Sequence, residues 1–200
     1  MTATFPGAGD QEWQPSTTDE KLDHLRSAQQ IQQLPMRYAL AIDSRDMDAL
    51  AELFVEDVRV GKRLHGRDEL KRWMTMTLAK LGRTIHLVAN HILSFSDADH
   101  ATGVVYCRDE VERDGCWVVG HLQYWDTYER RGGRWYFVRR LYNRWGVVDE
   151  IVRTKIDFED QGLTAHELPQ VWPTWSQFQN QGFPEGSEEI QADQTTPPRE

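Results

Sequence analysis

The sequence has little cysteine, no long apolar run and no extended basic segment. Its two cysteines, Cys107 and Cys116, are too few for a disulfide framework or a zinc site, so we expect free thiols. No stretch approaches the ~18 uninterrupted apolar residues that a membrane helix needs. The amino terminus lacks the basic start and apolar core of a secretory signal. We therefore expect a cytoplasmic protein with no membrane partner.

Negative charge is concentrated at the two ends of the chain. Residues 1–20 and residues 184–200 each carry a net charge of −4, out of −9 for all 200 residues. Both ends would repel a polyanion, and this argues against nucleic acid as a partner. Their composition, rich in Pro, Gly, Thr and acids, predicts disordered tails at 1–18 and 184–200.

Three amphipathic segments fill the first half of the region between the tails. The first starts near Thr18, a candidate N-cap, and its pattern continues beyond Pro35, which should bend or break the helix. Ser44 or Asp46 is expected to cap a second, short helix. The third segment runs from Asp68 to Leu81 with apolar residues along one side.

The second half changes to β-branched and aromatic segments separated by tight-turn signals. Four strands are predicted within 84–95, 101–112, 116–130 and 134–145. Helices first and a meander afterwards indicate the α+β class, with three helices packed on a curved antiparallel sheet that leaves a conical cavity. We expect one domain over 19–150, followed by an extension at 151–183 that could close the cavity as a lid.

Asp43 is the first polar residue found where burial is expected. It continues the apolar stripe of Met36, Ala39 and Leu40, at the carboxyl end of the first helix, where the macrodipole disfavours a negative charge. Capping of the next helix would also explain an aspartate here. Tyr38 lies five residues earlier and could donate a hydrogen bond or simply pack in the core.

His86 is the second such residue. Strand alternation places His86, Val88, Asn90 and Ile92 on one face and His91 on the other. Both faces are mostly apolar, so we expect the strand to be nearly buried on both sides. A satisfied core histidine would explain His86 equally well, and His91 is assigned a structural role only.

Charged residues in the later strands are the third group. Depending on the register of the first two long strands, either Asp109 or Glu110 lies opposite His86, and Gly103 could form a bulge. Arginines of the last strand could hold a carboxylate or polarise a carbonyl in a half-apolar cavity, or extend to solvent at an edge. These arginines are Arg139, Arg140 and Arg144.

No metal site is predicted. Histidines at 86, 91, 100 and 121 lack a carboxylate spacing typical of metal ligation. The sequence also contains no Walker glycine loop, no HExxH motif and no nucleophile elbow.

The segments RYALAIDSRDMDALAELF, IHLVAN, FSDADHATG and YERRGGRWYF resemble the SnoaL-like branch of the nuclear-transport-factor-two-like superfamily over about residues 25–147. Within that branch the pattern is similar to scytalone dehydratase and the bile-acid 7α-dehydratases. The resemblance implies a catalytic role for Asp43 and His86, with Tyr38, Asp109 and Arg144 in the same site. A second histidine of scytalone dehydratase has no counterpart in VVYCRDE, which argues against scytalone as the substrate.

These observations predict a dehydratase that works without a cofactor on a polycyclic hydroxy-carbonyl compound, such as a hydroxysteroid or polyketide. The aromatic content suits a flat substrate, and we expect Asn90, Trp73 and Trp125 to contact it. An isomerase or cyclase using the same residues, or a binding module without activity, are the alternatives. An apolar outer sheet face around Trp117 and Val119 predicts a homodimer or homotrimer.

Overall fold

The computed structural model describes residues 13–113, 116–151 and 173–181. The chain forms a cone in which helices cover the inner face of a curved antiparallel sheet, and this confirms the predicted α+β class. The helices are α1 (Thr18–Ser44), α2 (Met47–Glu52), α3 (Arg67–Leu78) and α4 (Pro173–Asn180). The long strands are β3 (Thr84–Phe95), β4 (His100–Arg113), β5 (Cys116–Arg131) and β6 (Arg134–Ile151), preceded by a hairpin of β1 (Arg59–Val60) and β2 (Leu64–His65).

Helix α1 begins one residue earlier than predicted and continues through Pro35. Its N-cap is Thr17, whose hydroxyl accepts a hydrogen bond from the Glu20 amide while the Glu20 carboxylate accepts from the Thr17 amide. This reciprocal pair is a capping box, so Thr18 is the first helical residue and not the cap. Pro35 is fully buried, and the helix extends nine residues beyond it to Ser44.

The remaining helix boundaries depend on short-range caps. Of the two candidates for the cap of α2, Asp46 accepts a hydrogen bond from the Ala49 amide. Helix α3 ends at Leu78, earlier than predicted, and Gly66 with φ of 102° precedes it. The β1–β2 hairpin before α3 was not predicted from the sequence.

The sheet has the order β3-β4-β5-β6, with every neighbouring pair antiparallel. Register shifts occur in the β3–β4 and β5–β6 pairs, and such bulges increase strand bending and twist. The principal core lies between the helices and the inner sheet face, with Ile31 and Leu50 from the helices against Tyr128, Trp135 and Phe137.

The bulge in β3 overturns part of the predicted alternation. Val88 pairs with Cys107 and His91 with Val105, so Ala89 and Asn90 together oppose a single residue. As a result His91 lies on the same inner face as His86, and Asn90 is exposed. The outer face is also not buried as expected, because Ile85, Leu87 and Ile92 are exposed.

The predicted tail at 1–18 is ordered in its described part. The Trp13 amide donates to the Phe95 carbonyl at 2.9 Å, and the Trp13 ring packs on His24 with 5.7 Å between centroids. Residues 1–12 and the tail at 184–200 lie outside the described residues.

The residues through which an oligomer was predicted to form are largely covered within the chain. Val119 is 1% exposed within the chain, and Trp117 is half-buried with the Arg83 guanidinium over its ring. The exposed large apolar side chains among the described residues lie on three other elements: Leu22, Leu25, Met36 and Leu40 on α1, Ile85, Leu87 and Ile92 on β3, and Tyr142 and Trp145 on β6. A dimer or trimer stays a prediction.

Candidate functional site

A cavity of about 1170 Å³ lies between the helices and the inner sheet face. Its wall is largely apolar and aromatic, and it receives side chains from α1, α2, α3, β1 and every long strand. The polar groups that reach it are His86, Tyr38, Asp109, Arg140 and Arg144, among others. A large apolar pocket with a few convergent polar groups is the usual form of a small-molecule site.

Asp43 and His86 are in direct contact at this wall. The His86 Nδ1 atom lies 2.7 Å from Asp43 Oδ1, and the His86 backbone amide donates to Asp43 Oδ2 at 2.9 Å. Because a carboxylate only accepts, Nδ1 carries the proton and Nε2 is the ring nitrogen left for another partner. His86 lines the cavity, whereas Asp43 lies behind it.

The carboxylate of Asp43 is held by donors that offset its position in the last turn of α1. Thr84 Oγ1 donates to Asp43 Oδ1 at 2.8 Å, in addition to the two groups of His86. Asp43 is therefore not a cap of α2, because Asp46 fills that position.

Thr84 is itself held by Arg45, a residue that the sequence analysis did not single out. Arg45 is 2% exposed and donates from Nη1 to Thr84 Oγ1 at 2.8 Å. Burial lowers the pKa of Arg45 to about 10, while the charge of Asp43 opposes that change. The guanidinium thus remains a cation at neutral pH beside the Asp43 carboxylate. The signal for it in the sequence was an arginine within IDSRD, directly before the Asp46 cap of α2.

Asp109 lies directly opposite His86 in the β3–β4 pair. Its side chain is 6% exposed, one carboxylate oxygen accepts from the Tyr142 hydroxyl at 3.4 Å, and the other has no hydrogen-bond partner among the described residues. Burial, followed by the charge of Asp109, raises the pKa of Tyr142 to about 12. Glu110, the alternative partner of His86, faces the other way and pairs with Arg108 at 3.1 Å.

Gly120 makes room for Asp109. A Cβ atom placed on Gly120 would lie 1.9 Å from Asp109 Oδ1 and 3.0 Å from Arg144 Nη2. The Asp109 carboxylate thus rests on the backbone of β5, close to the Arg144 guanidinium. The sequence offered only a lone glycine between Val119 and His121 as a signal for this contact.

A second polar cluster lies deeper in the cone around Arg140. The Arg140 guanidinium, 4% exposed, forms two hydrogen bonds with Asp126, at 2.9 Å from Nε and 2.8 Å from Nη2. It lies 4.4 Å from the Tyr38 ring centroid and 4.1 Å from that of Tyr124. Burial opposes its charge, but Asp126 outweighs this effect and the pKa of Arg140 is raised. Its Nη1 atom has no hydrogen-bond partner among the described residues.

Tyr38 belongs to the Arg140 cluster and also lines the cavity. Its ring lines the cavity and packs edge-on against Tyr124 at 5.8 Å and Phe137 at 6.2 Å. Burial raises the pKa of the Tyr38 hydroxyl, and the charge of Arg140 opposes that rise. The hydroxyl is accordingly a hydrogen-bond donor at neutral pH.

Of the three residues expected to contact a substrate, one lines the cavity. Trp73 lines the cavity. Asn90 does not, because the bulge turns it to the solvent side of β3. Trp125 does not either, since it follows the cavity-lining Tyr124 and so faces outward, where its Nε1 donates to Gln123 at 3.1 Å. Asn90 and Trp125 were therefore wrong as cavity residues.

The described part of the C-terminal extension does not line the cavity. Helix α4 packs beside the end of α1, where Thr174 Oγ1 donates to the Ser44 carbonyl at 2.9 Å and Trp175 is buried. Trp172 and residues 152–171 and 182–183 lie outside the described residues, so closure of the cavity by this extension stays a prediction.

A family model described as the SnoaL-like domain matches residues 23–141. The chain belongs to the SnoaL-like family. The match spans α1 to the middle of β6 and includes Asp43, His86, Asp109 and Arg140 of the site. A search of the curated proteins finds no match.

Solved structures share the fold of this SnoaL-like domain. A type 2 hexachlorocyclohexane dehydrochlorinase (LinA) is 22% identical, with a TM-score of 0.61 over 67% of this chain and 95% of that chain. The type 3 enzyme from Novosphingobium barchaimii is 20% identical, with a TM-score of 0.60 over 67% and 96%. A candidate scytalone dehydratase from Novosphingobium aromaticivorans is 25% identical, with a TM-score of 0.56 over 69% and 95%.

Family membership and the cavity together support a small-molecule-converting enzyme. Among the described residues, no three His, Cys, Asp or Glu side chains are grouped so that they could hold a metal ion. No helix of the described part is both long and apolar enough to cross a membrane.

Proposed function

We propose that this SnoaL-like protein is a dehydratase that removes water from a polycyclic hydroxy-carbonyl compound without a cofactor. The observation that carries the proposal is the hydrogen bond between Asp43 and His86 at the wall of an apolar cavity. An imidazole oriented by a carboxylate, with its second nitrogen toward a ligand space, is the arrangement of a general base. Water loss from a β-hydroxy carbonyl compound needs such a base at the carbon next to the carbonyl.

The reaction divides into a proton removal and a proton delivery. His86 Nε2 takes the proton alpha to the carbonyl, and Asp43 holds the ring in its tautomer and stabilises the imidazolium that forms. Electron density moves toward the carbonyl oxygen as the carbon–hydrogen bond breaks, and it returns to form the carbon–carbon double bond as the carbon–hydroxyl bond breaks. The leaving hydroxyl takes a proton from Tyr38, or from Asp109 in its protonated form, and departs as water. After product release the proton on His86 returns through solvent to that donor.

Arginine supports the developing negative charge in this scheme. Arg144 lies beside Asp109 at the cavity wall. Arg140 also lines the cavity, and its Nη1 has no hydrogen-bond partner in the part of the chain that the structure describes. Preorganised donors at a developing oxyanion are worth about 10²–10³ in rate each. Because Asp126 neutralises Arg140, we expect this arginine to bind a neutral oxygen such as a ketone.

The size and walls of the cavity favour a flat substrate of several rings. Its volume of about 1170 Å³ exceeds the needs of a small metabolite, and aromatic side chains line it. These are Tyr38, Phe54, Trp73, Tyr124 and Tyr142. Hydroxysteroids and aromatic polyketides combine this shape with an activated β-hydroxy carbonyl group.

The test is turnover of a hydroxysteroid and polyketide panel, followed by mass spectrometry for products that have lost one water. We expect Asp43→Asn and His86→Ala each to lower kcat by about 10²–10⁴, the usual contribution of general acid–base groups. Asp48→Asn and His121→Ala are matched controls, since both residues are exposed and neither lines the cavity. Full activity in either dyad variant would contradict the proposal.

The same screen separates the alternatives. A product of unchanged mass that requires Asp43 and His86 would make the protein an isomerase or cyclase. A compound that quenches tryptophan fluorescence in wild type and in both variants, and is never converted, would make it a binding module.

A further inference from the structure

Arg45 adopts a backbone conformation that arginine rarely occupies. It has φ of 60° and ψ of 30°, and it is the non-glycine residue with positive φ among those described. This left-handed position closes α1, where glycine is the usual residue because it has no Cβ. Because Arg45 is both strained and only 2% exposed, its side chain is expected to have a specific structural or functional role.

The Arg45 side chain connects the end of α1 to the start of β3. Nη1 donates to the Ile42 carbonyl at 2.6 Å and to Thr84 Oγ1 at 2.8 Å, and Nη2 donates to the Gly82 carbonyl. Thr84 in turn donates to Asp43 Oδ1, the same oxygen that His86 Nδ1 contacts. A continuous chain of hydrogen bonds therefore leads from the guanidinium to the imidazole.

Helix α4 covers the other side of the guanidinium. The Trp175 ring lies 4.4 Å from Arg45 Cζ and the Phe178 ring 5.9 Å from it. Trp175 is 4% exposed, and Thr174 fixes α4 to the Ser44 carbonyl, one residue before Arg45. A cation held against an aromatic face and removed from water has little freedom to leave its hydrogen-bond partners.

We propose that α4 and Arg45 are a positioning device for the Asp43–His86 pair. With α4 in place, Trp175 fixes Arg45, Arg45 fixes Thr84, and Thr84 fixes the carboxylate that orients His86. Neither Arg45 nor Trp175 lines the cavity, so both are positioning residues. The catalytic consequence rests on the proposed function, but the geometric claim does not.

The test follows the His86 Nδ1 proton by NMR in the full-length protein. In wild type this proton should give a slowly exchanging downfield resonance, since it is held in a 2.7 Å hydrogen bond between two partly buried side chains. We expect Trp175→Ala to speed its exchange with solvent by about tenfold, the effect of losing one desolvated cation–π contact. Trp175→Phe keeps an aromatic face and should restore most of the protection.

Arg45→Gly separates positioning from helix capping. Glycine suits the left-handed backbone better than arginine does, so a purely structural cap would be maintained or improved. A positioning role predicts instead that the His86 resonance broadens or is lost while α1 remains folded by circular dichroism. With a turnover assay, the loss should appear in kcat with KM little changed.

Trp13→Ala is the matched control for lost packing. Trp13 packs against His24 and bonds to Phe95, at the opposite end of β3 from Thr84. Trp13→Ala should lower the melting temperature without changing the exchange rate of the His86 Nδ1 proton. An unchanged His86 resonance in both Arg45→Gly and Trp175→Ala would overturn the inference. Full turnover in His86→Ala would instead overturn the proposed function and leave the positioning result intact.

Discussion

Asp109 and Gly120 depend on each other across the β4–β5 pair. The carboxylate occupies the space that any side chain at position 120 would need. Gly120→Ala should therefore displace Asp109 and the nearby Arg144, destabilise the fold by about 1–3 kcal/mol as overpacking does, and lower turnover. Thermal unfolding and kcat on the compound found by the screen measure the two effects.

The double variant Asp109→Ala/Gly120→Ala checks the cause. Removing the carboxylate creates the space that the new methyl group needs, so the double variant should unfold at a higher temperature than Gly120→Ala alone. If the two substitutions add without any recovery of stability, Asp109 is not what makes glycine necessary.

Some residues of the candidate site could be singled out from the sequence, and others could not. Asp43 and His86 could be singled out from the sequence because a polar residue on an apolar helix stripe or in an apolar strand is unusual. Arg45 and Thr84 could not, because their contacts join residues 39 positions apart and depend on a left-handed backbone. Gly120 required knowledge of which side chain lies against it.

At the scale of the element, α1 depends on its first turn. Ser16 and Thr17 both donate to the Glu20 carboxylate, and these contacts lower the pKa of Glu20 to about 2, with the Thr17 amide first and the Ser16 hydroxyl second in effect. Thr17→Ala should lower the free energy of unfolding by about 1 kcal/mol, as loss of an N-cap does. Thr18→Ala is the control, because Thr18 is inside the helix and holds no cap. Urea unfolding measures both, and equal losses would contradict the assignment of Thr17.

Strand β3 illustrates why alternation alone misplaced two residues. Counting every second residue from His86 leads to Asn90, but the extra residue at the bulge transfers the inner face to His91. Gly103 is not the bulge; it pairs with Leu93 of β3, and a Cβ atom placed on it would lie 2.9 Å from His91 Nε2. The position of a bulge depends on how a sheet curves over its helices, and the strand sequence does not encode that curvature locally.

At the scale of the molecule, the polar side chains inside the cone form two layers. His86 and Asp109 lie at the cavity wall with Asp43 behind His86, and Asp126 and Arg140 lie deeper between Tyr38, Tyr124 and Tyr128. Breaking a buried pair by removing one partner is costly, since the other charge stays buried. The fold class could be predicted because helices precede a meander in the sequence. The second layer could not be predicted, because it joins β5 and β6 and their register is shifted by bulges.

His91 contacts this deep layer, and its protonation makes the stability of the fold depend on pH. Its Nε2 lies 3.1 Å from the Tyr128 hydroxyl, which donates to Asp126, the partner of Arg140. Burial lowers the pKa of His91 to about 4, while the charge of Asp126 opposes the decrease and that of Arg140 adds to it. The folded protein thus keeps His91 neutral in a pH range where the unfolded chain, with an ordinary pKa near 6.5, binds a proton.

This difference predicts how stability changes with pH. Below pH 6.5 the unfolded state binds one more proton than the native state, so stability falls as pH falls, until the native pKa of about 4 is reached. At pH 5 the loss from His91 alone is roughly 2 kcal/mol, at 1.36 kcal/mol for each unit. His91→Gln removes the titration and keeps an N–H donor for the Tyr128 hydroxyl, so the variant should lose less stability than wild type between pH 7 and pH 5. Urea unfolding at half-unit steps measures the two slopes, and parallel slopes would mean that His91 is protonated in the folded protein.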